Sequence, residues 1–249
     1  MEAGEILPPP VRVLNENGTS PIVLLCEHAS RFIPARYKGL GLDDSDLQRH
    51  IAWDIGAANV AKRISQLIDA PLVMAGYSRL LIDLNRPLGS ATSIPDISEE
   101  TPIPGNSGIG AEERAQRAQR YFEPFHAAVK RLLDERQSHG SVKAVVGIHS
   151  FTPVFKGVSR PWHAGILFRK SEAFGRHLVE SLGGKDSAVA ANEPYQIEDD
   201  SDYTVPVHGE MRGLHSVLVE IRQDLVTDSQ GTAMWARRLA EALATHGGA

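Results

Sequence analysis

Four apolar stretches of this 249-residue chain end on, or carry, an ionisable side chain. Ile22–Cys26 runs into Glu27-His28. Residues 80–84 contain Asp83 and run into Asn85-Arg86. Residues 142–148 run into His149-Ser150, and residues 217–221 carry Glu220 among Val217, Leu218, Val219 and Ile221. Buried strands that finish in polar residues deliver them to the rim of a sheet, where ligands sit in open α/β folds. His28 and His149 together suit a shared metal ion. Zinc takes His and carboxylate ligands, and a catalytic zinc keeps one position open for water. Either histidine alone would read as a hydrogen-bonded structural residue; the pair is what points to a metal.

A third ligand is needed, and Asp54 is preferred. The competing role for Asp54 is an N-cap of the helix that starts near Ile55. Glu27 is the alternative, but neighbours on a strand point to opposite faces, so Glu27 and His28 reach one site only if the chain turns sharply there. His50 could also reach the site, although an exposed helical histidine is its plainer reading. Glu220 needs a partner if buried, since an unpaired buried carboxylate is costly. Arg222, two residues along the same strand face, could supply it, and a structural ion pair there competes with a catalytic carboxylate.

Other chemistries find less support. Gly76-Tyr77-Ser78 and Gly157-Val158-Ser159 both lack the last glycine of a nucleophile elbow. Ser150 beside His149 diverges from it. No phosphate-cradling glycine motif follows a strand, and Gly105 to Gly110 reads as flexible loop. Cys26, the only cysteine, sits inside an apolar run as inert core and rules out an internal disulfide, so the cytoplasm is the expected compartment. A net charge of −5 gives no basic footprint for nucleic acid. No apolar run approaches a membrane span, and the acidic start MEAGEILPPPVRV does not read as a secretory signal.

The elements that must position these groups alternate. Residues 1–10 read as an extended, mobile arm ending in three prolines. Strands are expected at 11–14, 22–26, 72–75, 80–84, 142–148, 163–168 and 217–221, and helices from Leu42-Asp43-Asp44-Ser45, over 55–68, as one long helix over 111–137, over 171–182 and over about 232–244. Residues 88–110 and 183–210 read as long loops, which in a compact domain are functional or mobile. The alternation predicts a single layered α/β domain, a mixed and largely parallel sheet flanked by helices, over 1–249.

Cys26-Glu27-His28-Ala29-Ser30 with Ile33-Pro34, Asp54-x-Gly56-Ala57, Asp83-Leu84-Asn85-Arg86-Pro87, Asn192-Glu193-Pro194-Tyr195 and Glu220-Ile221-Arg222-Gln223-Asp224-Leu225 together resemble the N-formylglutamate amidohydrolase family, from about residue 20 to 240. More distantly, three segments look like the zinc carboxypeptidase and aspartoacylase fold. The resemblance implies one zinc ion per chain with His28 and His149 among its ligands and Glu220 as the catalytic carboxylate with Arg222 beside it; Asp54, preferred above from the residues, takes the third ligand position. It implies a substrate carboxylate held by Arg86, with Arg79 or Arg222 helping and Asn85 hydrogen-bonding the same group, in a pocket lined by Asn192 and Tyr195. The substrate would be a small N-formyl or N-acyl amino acid. One departure stands out: the carboxypeptidase pattern His-x-x-Glu has Arg31 in its last position here, so that ligand must be replaced. A different deacylase or carboxypeptidase substrate, or a non-catalytic carboxylate-binding protein on the same fold, are the alternatives.

Overall fold

The computed structural model describes residues 5–184 and 187–246. Seven strands form one sheet: β1 (Val11–Leu14), β2 (Ile22–Cys26), β3 (Leu72–Ala75), β4 (Ala144–Phe151), β5 (Ala164–Leu167), β6 (Val189–Ala191) and β7 (His215–Arg222). Their order is β1-β3-β2-β4-β7-β5-β6. β3, β2, β4 and β7 run parallel; β1 and β5 pair antiparallel to β3 and β7, and β6 runs with β5. The sheet is therefore mixed and largely parallel. Every residue of β2, β3 and β4 is buried, which is why these strands read as continuous aliphatic runs.

The helices are α1 (Asp44–Leu47), α2 (Ala57–Leu67), α3 (Ala111–Arg117), α4 (Glu123–Ser138), α5 (Glu172–Leu182) and α6 (Ser229–His246). Ile64 of α2, Leu178 of α5 and Leu239 of α6 pack on Leu24, Val146 and Val219 on one face of the sheet. Phe125 and Val129 of α4 pack on Val23, Val73 and Val145 on the other. Alternate strand residues thus feed two separate cores.

Local corrections follow from backbone hydrogen bonding. Residues 80–84 are not a strand. The Leu80 and Leu81 carbonyls accept from the side chains of Asn106 and Arg117, Leu84 O accepts from His126, and Asp83 N donates to Ser93 O. Side chains from distant elements take the place of a ladder. The expected helix over 111–137 runs as continuous helical backbone, with one wide turn over residues 118–122 inserted just ahead of Pro124, which has no N–H to continue the regular pattern. The 183–210 loop contains β6 and a further wide turn at Thr204–Gly209. Of the expected mobile arm, residues 1–4 lie outside the described residues. Residues 5–10 are tied down: the Glu5 carboxylate accepts from Ala35 N, Tyr77 Oη donates to Pro8 O, and Gly76 N donates to Pro10 O. Among the described residues no helix is long and apolar enough to cross a membrane.

Candidate metal centre

The parallel strands bring three carboxylate and histidine positions into one row. In the β4–β7 register Glu220 lies beside His149. Reading the β2–β4 register on from Leu25 opposite Gly147 puts Glu27 on the other side of His149. The chain then turns at Glu27-His28, and that turn lets two sequence neighbours serve the same site. Asp54 N donates to His28 O, anchoring the second loop to the first. The Asp54 side chain is not an N-cap. Gly56 precedes α2 at φ 83°, with no side-chain cap, and a Cβ there would meet Val226 O at 2.5 Å.

Three atoms converge. His28 Nδ1 and His149 Nδ1 are 3.2 Å apart, and Asp54 Oδ2 lies 3.3 Å from the first and 2.9 Å from the second. All three residues are buried. Tetrahedral ligands at the usual ~2.0–2.1 Å from zinc sit about 3.3 Å from each other, so the trio has the spacing of one face of such a shell. The far ring nitrogens explain the orientation. His28 Nε2 is 2.7 Å from Asp83 Oδ1, and His149 Nε2 is 3.2 Å from Glu27 Oε2. An ionised carboxylate only accepts, so His28 Nε2 donates to Asp83 and its Nδ1 faces the centre; His149 Nε2 lies within ion-pair distance of Glu27 Oε2 without a hydrogen bond, and its Nδ1 faces Asp54 Oδ2. Two ring nitrogens and a carboxylate oxygen this close to one another call for a cation. These residues fit a metal ion.

A proton answers the same demand in its place. Burial opposes charging His149, but Asp54 and Glu27 outweigh it and hold its pKa well above the ordinary value. Burial also opposes ionising Asp54, where His28 and His149 prevail, and Asp83, where Arg79 and then His28 prevail; both carboxyls are held low. Glu27, fully buried, is held at about 2 against its burial, chiefly by His149 and by the Thr204 hydroxyl, which donates to Oε1. Arg79 locks the arrangement: Nε and Nη2 donate to Asp83 Oδ2 at 3.0 and 2.6 Å, and Nη1 to Asp54 Oδ1 at 3.3 Å.

Glu220 stands apart from these pairs. It is buried, and among the described residues nothing donates to its Oε2. Burial first, with Asp54 adding and His149 opposing, raises its pKa to about 7. The expected pairing with Arg222 is not formed. The Arg222 guanidinium turns to Asp224 at 2.8 Å and to the carbonyls of Arg160 and Pro161, because β7 ends there and the chain curls back.

A cavity of about 570 Å³ opens on this centre, and His28, Asp54, His149 and Glu220 line it. Arg79, Asn85, Arg86 and Tyr195 line it as well; Asn192 does not, its Oδ1 accepting from Phe168 N at 2.8 Å. Asn85 is engaged within the protein, donating to Asp202 and accepting from Tyr203 N and Thr204 N. His50 sits at the mouth, 3.4 Å from Glu99 of the hairpin formed by Ile97–Ser98 and Thr101–Pro102. Arg31, where the carboxypeptidase pattern carries a ligand, lies over the Trp53 ring at 5.9 Å.

Sequence reasoning gave no role to Asp83 or Thr204 and weighed Glu27 only as a ligand. Asp83 carried a usable signal: a carboxylate straight after Leu80-Leu81-Ile82 must be buried, and so must be paired. Partners that fix a ligating histidine are typically worth ~10–100-fold in metal affinity. Asp83→Ala, which removes the acceptor that fixes the His28 ring, is expected to weaken metal binding by about that factor, read by competition with a chelating dye. Unchanged affinity would show that Asp83 does not orient His28.

Fold and site together define a class: a layered α/β protein with a buried His–Asp–His cation trio, and a free carboxyl beside it, at the carboxyl rim of a largely parallel sheet. The model of one family, N-formylglutamate amidohydrolase, matches residues 20–227, and the chain belongs to that family of amidohydrolases. The crystal structure of gene product Atu2144 from Agrobacterium tumefaciens is 37% identical, with a TM-score of 0.92 over 96% of this chain and 94% of that one. N-formylglutamate amidohydrolase from Ralstonia eutropha JMP134 is 20% identical, with a TM-score of 0.71 over 96% and 97% of the two chains. A metallo-carboxypeptidase from Burkholderia cenocepacia aligns at 11% identity and a TM-score of 0.40, over 96% of this chain and 65% of that one. No curated protein sequence matches the chain.

Proposed function

We propose that this amidohydrolase is a zinc-dependent enzyme of the cytoplasm that cleaves the amide bond of a small N-formyl or N-acyl amino acid, of the N-formylglutamate kind. The observation that carries this reading is the convergence of both Nδ1 atoms on Asp54 Oδ2, in the same cavity as Glu220, whose Oε2 takes no hydrogen bond among the described residues. Zinc held by His28, Asp54 and His149 would supply a water of lowered pKa and a Lewis acid for the amide carbonyl. Glu220 takes the proton of the attacking water and returns it to the leaving nitrogen; its unpaired oxygen and near-neutral pKa suit a group that must do both. Glu27 and Asp83 hold the two imidazoles, and Arg79 holds Asp83 and Asp54. Arg86 bonds Asp202 and the carbonyls of Asn85 and Ser201 through Nη1, which leaves Nε and Nη2 for a substrate carboxylate. Arg222, turned to Asp224, keeps β7 closed at its end rather than touching substrate.

The test is a panel of N-formyl and N-acetyl amino acids, assayed with chelated protein and with zinc restored. Hydrolysis that chelation abolishes and zinc recovers is the expected outcome. Full activity in protein stripped of metal would sink the scheme.

A further inference from the structure

The hydrolase reading requires recognition of a substrate carboxylate, and the arginines near the cavity are not equally free to provide it. Arg79 is clamped to Asp83 and Asp54, Arg86 already leans on Asp202, and Arg222 has turned to Asp224. Arg160 differs from all three. It is only 8% exposed, yet among the described residues no carboxylate pairs with it. Its side chain makes one hydrogen bond, from Nη1 to the Tyr195 hydroxyl at 2.9 Å. Its guanidinium lies over the rings of Phe155 at 4.5 Å, Tyr195 at 4.8 Å and Phe151 at 5.8 Å. Phe155 and Tyr195 both line the cavity, and Arg160 stands behind them, next to the lining rather than in it.

A guanidinium cannot shed its charge, and burying it is costly unless aromatic faces or an anion compensate. The rings of Phe155 and Tyr195, with Phe151 farther out, surround the guanidinium. Among the described residues its Nε and Nη2 make no hydrogen bond, and two such donors side by side are the fork that matches a carboxylate. Tyr195 adds a further donor. Its oxygen accepts from Arg160, so its own proton is free to be given. Although 40% of Tyr195 is exposed, desolvation at its hydroxyl end, reinforced by nearby Glu220, raises its pKa above the ordinary value, so the hydroxyl keeps its proton at neutral pH. The loop carrying Tyr195 is seated closely as well. Gly165 of β5 pairs with Glu220, and a Cβ on Gly165 would meet Glu193 O at 1.6 Å, so only glycine lets residues 193–195 close on the sheet at this point.

We propose that Arg160, together with the Tyr195 hydroxyl it holds, is a carboxylate-recognising element of this cavity, separate from Arg86 and decisive for specificity. The identity of its ligand rests on the hydrolase reading above; the geometry of the pair does not.

The test measures binding by calorimetry in a Glu220→Gln background, which slows turnover by about 10²–10⁴-fold. The ligands are N-formyl-L-glutamate and its two monoamides, N-formyl-L-glutamine and N-formyl-L-isoglutamine. Adding Arg160→Gln is expected to weaken the dicarboxylate by about ten- to a hundredfold, the worth of a charged hydrogen-bonded contact. It should leave unchanged the affinity for whichever monoamide lacks the carboxylate that Arg160 reads. Tyr195→Phe should reproduce the pattern at smaller size. Equal weakening of all three ligands would reveal a merely structural role and overturn the proposal, as would no weakening of any, or a background protein that binds none of them. A protein with Glu220 intact that hydrolyses none of the three defeats the hydrolase reading instead; the binding comparison still decides the role of Arg160.

Discussion

Replacing Glu220 by glutamine is expected to leave metal stoichiometry unchanged while lowering kcat by about 10²–10⁴-fold, the usual worth of a positioned acid–base group. The amide keeps the shape of the carboxyl but takes no proton from water. Metal content by mass spectrometry and steady-state kinetics on the same preparation check the two halves of the statement. Loss of metal in this variant would mean that Glu220 is a ligand. The variant should also change the pH profile, because the base must be ionised to act. Activity is expected to rise with pH towards neutrality as a carboxyl raised to about 7 deprotonates, and a bound dication would pull that limb to lower pH. Glu220→Gln should abolish it.

The same shift has a signature in stability that needs no catalysis. The folded carboxyl titrates near 7 against 4.5 for an ordinary glutamate. Below 4.5 both states are protonated and the site costs nothing. Between 4.5 and 7 only the unfolded chain ionises, so stability falls as pH rises, and above 7 the loss is complete at a ceiling of about 3 kcal/mol. Metal-free Glu220→Gln protein should therefore melt higher than its parent at pH 8, with the gap closing near pH 4–5. A gap that does not vary with pH would show that Glu220 titrates normally.

Replacing His149 by alanine is expected to reduce metal content from about one ion per chain to nearly none and to abolish turnover. It removes one of three converging ligand atoms. It also strips Glu27, a wholly buried carboxylate, of its 3.2 Å partner, so a loss of stability of about 3–5 kcal/mol is expected alongside. Asp54→Asn separates the two effects, since it weakens the centre without touching Glu27. Full metal occupancy in His149→Ala would show that the ligand set is wrong. In the parent protein, metal must displace a proton from His149, whose pKa is raised. Apparent affinity should fall as pH falls, with proton release on binding measurable in buffers of different ionisation enthalpy.

What could be read from the residues was the part that depends on strands. β2 stops at Cys26, just before His28, and β4 and β7 carry His149 and Glu220 two residues from their carboxyl ends; their aliphatic runs are the pattern of a sheet buried on both faces. The structure brings His28, Asp54 and His149 together as a possible metal trio. What the sequence hid was decided by contacts between distant segments. Residues 80–84 are as aliphatic as a strand, but Asn106, Arg117 and His126 take their carbonyls. The Glu220–Arg222 spacing suggests an ion pair, but the turn after β7 gives Arg222 to Asp224. Arg160 gave no local signal, because its significance lies in what surrounds it among the described residues: three aromatic rings from 151, 155 and 195 and no paired carboxylate.

The register that sets Glu220 beside His149, and Glu27 on its other side, divides the molecule into parts with very different freedom to change length. Side chains alternate along a strand, so one residue added or deleted within β7 before Glu220 would rotate Val219 or Ile221 into the cavity and the carboxyl into the aliphatic layer. The strands between Ala144 and His149, and between His215 and Glu220, are thus locked in phase. The segments that shape the rest of the cavity, around the 97–102 hairpin and Tyr195, lie outside that phase and can lengthen or shorten without shifting it. Divergence in substrate is therefore open to this architecture by insertion and deletion in its loops, whereas divergence in the reaction itself is open only by substitution.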